Sequence, residues 1–204
     1  MKNYHVVKAD VRGSKMMPTQ NRQLLQEVMS QTVKLVTMSG RCIMSDHCCG
    51  DTMEVLCASR EDAMWCLKVL KASLWKTGLR VGVGKGSWEI RIRGGGINAQ
   101  DGHAFWDAHD CLKYVNDSTG NNGIWASLGD FNHLDGYEKS QFDSEAGGFM
   151  DAVDGLPFDS STDLLYDLMC EARPENRQGI KKVVFGRMVK GLVEQREICF
   201  ADDK

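Results

Sequence analysis

Strand-like and helical segments alternate along the first half of the sequence, and their order constrains the fold more than any other feature. Residues 4–9, 42–48, 52–58 and 79–83 form short runs rich in apolar residues and bounded by polar or glycine turns. Between them, residues 19–37 and 59–78 carry apolar side chains at the spacing of an amphipathic helix. The elements therefore follow in the order β-α-β-β-α-β.

This order is typical of the split βαβ unit. We therefore predict an α+β fold with a ferredoxin-like or palm-like antiparallel sheet that carries its helices on one face. A further strand at residues 88–93 and a third helix capped by Asp101 extend the unit to about residue 115. Fold class alone does not indicate a function.

The composition changes after residue 115, which suggests a division of the chain. Residues 1–115 form the predicted principal domain, and residues 116–161, rich in glycine, aspartate, asparagine and serine, are interpreted as an irregular acidic insertion. Residues 162–204 form a C-terminal helical segment, which includes a basic helix at about residues 175–196. A solvated basic face is favoured there over a nucleic-acid contact.

The composition is ordinary for a globular protein, with 42% hydrophobic and 26% charged residues. The net charge of −3 provides no general attraction to nucleic acid or to an anionic membrane. No apolar stretch approaches the length of about 18 residues that a membrane helix needs, so we predict a cytoplasmic protein without a membrane segment. The eight cysteines contain no C-x-x-C pair, and we expect buried reduced thiols rather than a zinc site.

Two aspartates stand at turns that the predicted fold brings together. Asp10 ends the first strand in KADVRGS, and Asp51 lies at the tip of the hairpin in CCGDTMEV. If these strands are neighbours, both carboxylates meet at one edge of the sheet, where they need solvent or a cation. Such a pair is suited to hold Mg²⁺ or Mn²⁺ against a nucleoside triphosphate. The alternative is that each aspartate caps its own turn.

The residues after Asp10 have the composition of a phosphate-binding turn. Gly13 provides flexibility, Ser14 a hydroxyl group and Arg12 a compensating charge, and backbone N–H groups in such a turn bind phosphate oxygens. The later sequence GVGKGS lacks the G-x-x-x-x-G-K-[ST] spacing of a P-loop, so we reject it as a phosphate site.

These motifs resemble those of the class III nucleotidyl cyclases in their order and spacing. ADVRGS is similar to the first metal-binding motif of that family, CCGDTMEV to the second, and LRVGVGKGSWEI to the strand pair after the second helix. A closer resemblance is to the bacterial SatD-like family, whose helix opening Asp-Gly-x-Ala-Phe-Trp matches residues 101–106. The resemblance covers about residues 4–115.

The resemblance to class III cyclases implies two metal ions, Mg²⁺ or Mn²⁺, between the protein and a nucleoside triphosphate. Their ligands would be Asp10, Asp51 and the carbonyl oxygen of Val11. Phosphate contacts would come from the turn formed by Arg12, Gly13 and Ser14. The resemblance also implies a head-to-tail homodimer with the nucleotide between its subunits.

Three further positions have counterparts in the cyclases. His47 stands where many adenylyl cyclases have a lysine that reads the base. In the third helix, where cyclases place an asparagine and an arginine that stabilise the transition state, this chain has Phe105 and His109. His109 is the candidate catalytic residue, because imidazolium replaces a guanidinium charge, although less permanently.

Three functions are consistent with these features. The first is a metal-dependent nucleotidyl cyclase or nucleotidyltransferase that releases pyrophosphate and forms a cyclic nucleotide or an oligonucleotide. The second is a catalytically inactive nucleotide-binding regulator, which the residues Phe105 and His109 favour. The third is a nucleic-acid-binding protein that uses the C-terminal basic helix. The sequence does not indicate the nucleobase.

Overall fold

The structure is a computed structural model that describes residues 2–48, 50–75, 77–117, 125–128, 136–172, 190–192 and 194. The strands in this part of the chain are β1 (Tyr4–Val11), β2 (Met44–Cys48), β3 (Thr52–Cys57), β4 (Leu79–Gly86) and β5 (Trp125–Leu128). The helices are α1 (Thr19–Ser39), α2 (Arg60–Ser73), α3 (His103–Asp117), α4 (Gly136–Gly155) and α5 (Phe158–Cys170).

The strands form one sheet in the order β2-β3-β1-β4-β5. The central strand β1 pairs antiparallel with β3 and β4, and β2 pairs antiparallel with β3. These four strands with α1 and α2 have the connectivity of the split βαβ unit, which confirms the predicted α+β fold with an antiparallel sheet. The fifth strand, β5, pairs parallel to β4.

Helices α1 and α2 cover one face of the sheet and enclose the main hydrophobic core. From β1, the core contains the alternate residues Val7, Ala9 and Val11, all fully buried. Because side chains alternate across a strand, Lys8 and Asp10 lie on the other face of the sheet.

Helix α3 packs on that other face, against β4, whereas the sequence analysis placed all helices on one face. The contact depends on Gly82, Gly84 and Gly86, since a Cβ atom at any of them would lie under 3.0 Å from the start or the middle of α3. Gly84 lies against the backbone of Ala104 and Ala108. The glycines of GVGKGS therefore allow close packing of a helix on a strand.

The predicted strand at residues 88–93 is instead an irregular loop. Within the described stretch from 87 to 101, the sole β-pairing is one bridge between Ile90 and Asp101. The buried Gln100 side chain accepts a hydrogen bond from the Ile92 N–H and donates to the Ile92 and Gly96 carbonyl oxygens, each at 3.1 Å. A side chain thus satisfies backbone groups that a neighbouring strand would otherwise bind.

Helix α4 lies inside the predicted irregular insertion, so that prediction was wrong for Gly136–Gly155. Ala146, Met150 and Val153 are fully buried at helical spacing, and this packing outweighs the low helix propensity of the many glycines and aspartates. On α2, Lys71 is fully buried and pairs with Asp154 of α4 at 2.6 Å. Burial lowers the pKa of Lys71, and Asp154 acts in the opposite direction.

Three other points of the sequence analysis concern the basic helix, the cysteines and membrane-spanning helices. The basic helix at about residues 175–196 falls outside the described residues, apart from 190–192 and 194. Cys57, Cys66 and Cys111 are buried free thiols, as predicted. In the described residues, every helix is too short or too polar to cross a membrane.

The variant Gly84→Ala is expected to lower the free energy of unfolding by about 1–3 kcal/mol, because the added methyl group overlaps the α3 backbone. Gly148→Ala in α4 is the control: a Cβ atom there meets no described atom within 4 Å, so stability should stay the same or rise by up to about 1 kcal/mol. Urea unfolding measures both. Equal stability of Gly84→Ala and the parent would contradict the close packing of α3.

Candidate functional site

The end of β1 and the tip of the β2–β3 hairpin meet at one edge of the sheet. The last residue of β1, Val11, donates its backbone N–H to the Asp51 carbonyl oxygen at 3.1 Å. In the strand ladder, Asp10 lies between Thr52 of β3 and Arg80 of β4. The structure therefore brings Asp10, Val11 and Asp51, the residues predicted to hold a metal, next to one another. It adds Arg80, which the sequence analysis did not include.

The carboxylate of Asp10 is mostly buried and forms an ion pair with Arg80, whose Nη2 donates to Asp10 Oδ2. Burial raises the pKa of Asp10, the Arg80 guanidinium lowers it, and the neighbouring Asp51 carboxylate raises it again. The pKa of Asp10 stays above its ordinary value. Burial is the largest of these effects, so the Arg80 ion pair does not fully offset the loss of hydration at Asp10.

The turn after β1 directs a hydroxyl group to Asp51. Gly13 adopts the left-handed conformation with φ of 74°, and its carbonyl oxygen accepts a hydrogen bond from the Met16 N–H at 2.8 Å. This turn places the buried Ser14 hydroxyl against the Asp51 carboxylate, to which it donates.

Arg12, also predicted to contact phosphate, follows β1 and lies beside Gly78, the residue before β4. Its N–H donates to the Gly78 carbonyl oxygen at 2.6 Å, and its side chain runs beside Gly78. The structure therefore places the Ser14 hydroxyl next to the carboxylate pair and the Arg12 side chain beside Gly78.

A cleft of about 270 Å³ opens between this turn, the hairpin tip and α1. It is lined by Ser14, Lys15, Arg22, Leu25, Gln26, Gly50 and Asp51. Two of these side chains, Lys15 and Arg22, are cations that suit an anionic ligand, and neither was identified from the sequence.

His47, the predicted base-binding residue, lies on the face of the sheet opposite Asp10. Its partner in the ladder is Met53, which is buried in the core beneath α1 and α2. One ring nitrogen contacts the Gly50 carbonyl oxygen at 3.0 Å across the hairpin turn. The structure does not bring His47 next to the Asp10 carboxylate.

The two α3 residues at cyclase positions have different surroundings. Phe105 is buried in the apolar cluster between α3 and the sheet, so its role is packing. His109 is exposed and acts electrostatically on Glu54 of β3. His109 therefore lies on the same side of the sheet as Asp10.

Glu54 is a second buried carboxylate on this face that sequence reasoning missed. It is 4% exposed and forms an ion pair with Lys8, its partner across the ladder, at 3.5 Å. Burial raises the pKa of Glu54, while Lys8 and His109 lower it. Since Lys8 and Asp10 share one face of β1, Lys8, Glu54 and His109 form a polar strip that leads from α3 to the carboxylate pair.

The oxygen ligands at the sheet edge fit a hard divalent cation. Asp10 and Asp51 supply carboxylate oxygens, the ligand chemistry of Mg²⁺ and Mn²⁺. Among the described residues, no three His, Cys, Asp or Glu side chains are grouped to hold a metal. A cation here would therefore take further ligands from backbone, water or phosphate, which is the usual pattern for Mg²⁺.

Comparison of the sequence with protein-family models and with curated proteins finds no match. The resemblance to the SatD-like family and to class III cyclases therefore stays a prediction. The chemistry proposed for the site follows from its geometry, in which Asp10 and Asp51 lie beside Arg80 and a cleft lined by basic residues.

Asp10→Asn is expected to be more stable than the parent at pH 7 without divalent cations. The pKa of Asp10 is higher in the folded than in the unfolded protein. Ionising this carboxyl group therefore costs stability as the pH rises from the unfolded-state pKa to the folded-state pKa. The difference should disappear toward about pH 3, where Asp10 is protonated in both states. Urea unfolding at the two pH values measures it, and a variant less stable than the parent at pH 7 would contradict this electrostatic balance.

Proposed function

We propose that the protein binds a nucleoside triphosphate with Mg²⁺ or Mn²⁺ at the Asp10–Asp51 edge and transfers its nucleotidyl group. The observation that carries the proposal is the approach of two carboxylates, Asp10 at the end of β1 and Asp51 at the β2–β3 turn, beside a basic cleft. A cation between the carboxylates would remove their repulsion. A polyphosphate in the cleft would meet Lys15 and Arg22.

The residues at the edge have separate roles in this proposal. Asp10 and Asp51 hold the cation, while Lys15, Arg22 and the Ser14 hydroxyl bind the phosphate chain. When bound, the cation neutralises phosphate charge and lowers the pKa of the attacking hydroxyl group.

The proposed reaction is a substitution at the α-phosphorus of the nucleotide. A ribose 3′-oxygen forms a bond to this phosphorus, the bond to the bridging oxygen of the β-phosphate breaks, and pyrophosphate leaves. The hydroxyl proton passes to water. Attack within one nucleotide gives a cyclic product and attack on a second nucleotide gives an oligonucleotide; the site is compatible with both.

Phe105 favours a second candidate function, a nucleotide-binding regulator without catalysis. Its buried phenyl ring cannot orient a ribose, which is the role of the asparagine in cyclases that the resemblance assigns to this position. Catalysis therefore depends on whether His109, exposed on the face that carries Asp10, stabilises charge on the α-phosphate.

Three expectations about partners and location accompany this proposal. A homodimer is supported by Trp106, which is 47% exposed and provides apolar surface for a second subunit. Nucleic-acid binding through the basic helix is the less favoured alternative. Cytoplasmic localisation stays a prediction from the sequence.

Incubation of the purified protein with each of the four nucleoside triphosphates and Mg²⁺ or Mn²⁺ tests the proposed function. Mass spectrometry should detect pyrophosphate and a cyclic or oligomeric nucleotide from the parent and none from Asp10→Asn/Asp51→Asn. The control Asp163→Asn/Asp167→Asn removes two exposed carboxylates of α5 and should retain activity. Nucleotide binding without any product would support the regulator, and neither binding nor product would contradict both functions.

The same assay at pH 6 and pH 8 tests His109. If its imidazolium stabilises the transition state, turnover of the parent falls at the higher pH, His109→Ala is slow at both, and His109→Arg retains or regains activity at pH 8. Unchanged turnover in both variants would remove His109 from the mechanism.

A further inference from the structure

Two isoleucines protrude from residues 88–93, the part of the β4–α3 connection that we call the 88–93 loop. Ile90 and Ile92 are each 50% exposed. The backbone that carries them is held by hydrogen bonds, since Ile90 forms a bridge to Asp101 and the buried Gln100 side chain binds the N–H and carbonyl oxygen of Ile92. A surface that covered these side chains would therefore have little chain left to order.

Cations flank the two isoleucines. Arg91 and Arg93 alternate with them along the chain and are exposed. The Arg91 guanidinium lies 4.5 Å from the centre of the Trp88 ring and donates to the Tyr4 hydroxyl group at 3.2 Å, and Lys2 lies over the Tyr4 ring at 5.3 Å. Among the described residues, these three cations form no ion pair with a carboxylate. Their positive charge is available to an anionic partner.

The acidic residue of the 88–93 loop, Glu89, is directed toward other groups. It accepts a hydrogen bond from the Ser87 hydroxyl group at 2.6 Å and pairs with His103 at 3.5 Å. The loop therefore presents exposed aliphatic side chains beside uncompensated positive charge, although the whole chain has a net charge of −3. The boundary of a bilayer that contains anionic lipids has both matching properties, an apolar layer and negative charge.

The aromatic rings near the 88–93 loop are poorly placed to bind nucleic acid. Single-stranded nucleic acids stack their bases on exposed aromatic rings. The Tyr4 ring is 6% exposed and packs edge-on against Trp88, whose ring is covered by Arg91. The exposed apolar groups are instead Ile90 and Ile92, which suit hydrocarbon.

The 88–93 loop lies at the end of the sheet opposite the carboxylate pair. It contacts Tyr4, the first residue of β1, whereas Asp10 lies near the end of that strand, about 20 Å away at the usual rise of a β-strand. A membrane that contacted the loop would therefore leave Asp10 and the cleft beside it open to water.

We propose that the 88–93 loop and Lys2 attach the protein to the surface of a membrane that contains anionic lipids. Ile90 and Ile92 enter the boundary between the headgroups and the acyl chains, and the three cations bind lipid phosphates. Two half-exposed side chains and three cations provide weak and reversible attachment. The attachment is independent of the proposed reaction.

Cosedimentation of the full chain with sucrose-loaded vesicles tests this attachment. The parent should bind vesicles of phosphatidylcholine and phosphatidylglycerol in equal parts, should bind phosphatidylcholine vesicles roughly tenfold more weakly, and should be released by high salt. Ile90→Ser/Ile92→Ser should weaken binding to the anionic vesicles roughly tenfold, because the apolar contact is lost. Lys2→Gln/Arg93→Gln should weaken it by a similar factor, because two lipid-binding charges are lost.

Two variants outside the loop are the matched controls. Ile43→Ser changes another exposed isoleucine and Lys34→Gln an exposed lysine of α1, and both should bind the anionic vesicles like the parent. Circular dichroism checks that each variant is folded. If the isoleucine variant does not fold, Lys2→Gln/Arg93→Gln decides, since vesicle affinity equal to that of the parent would contradict the proposal.

Three other results would overturn the attachment. The first is a parent that does not bind anionic vesicles, or that binds them no better than both loop variants do. The second is binding of a single-stranded oligonucleotide but not of vesicles, lost in the loop variants, which would make the loop a nucleic-acid surface. The third is a dimer that the isoleucine variant abolishes, again without vesicle binding, which would make the loop a contact between two copies of the chain.

Discussion

The pairing of β1 on both of its sides is the constraint on which the rest of the site depends. Asp10 has a partner in each neighbouring strand, Thr52 and Arg80, and the β2–β3 turn brings Asp51 beside it. The backbone ladder and the β2–β3 turn therefore bring the two carboxylates together. Because the ladder stabilises the sheet as a whole, it can maintain a local repulsion that a cation would relieve.

The packing of α3 determines how much of the sheet is left for a ligand. The three glycines of β4 let α3 lie directly on the strand. The part of this face that α3 covers is therefore filled by apolar packing that includes Phe105. Beside this apolar packing, the polar strip of Lys8, Glu54 and His109 leads to Asp10. Helix α3 thus covers one end of this face of the sheet, and its exposed His109 lies toward the end that carries Asp10.

Much of the fold could be predicted from local patterns, but side-chain neighbours across strands could not. Hydrophobic periodicity identified the β-α-β-β-α-β order. Helix α2 begins with a serine N-cap, a local pattern, since the Ser59 hydroxyl accepts from the Asp62 N–H at 3.1 Å. The role of Arg80 depends on strand register, which a single strand does not encode, and a one-residue shift decides on which face His47 lies. Helix α4 was missed because its stability comes from contacts with α2 rather than from propensity.

The account depends most on Asp10 and Asp51 sharing one divalent cation. Titration of Mn²⁺ into the parent and into the variant Asp10→Asn/Asp51→Asn, followed by calorimetry and by the electron paramagnetic resonance of free Mn²⁺, tests this directly. The account predicts saturable binding by the parent and its loss in the double variant, with both proteins folded. Equal Mn²⁺ affinity in the two proteins would place the cation elsewhere and contradict the proposed site.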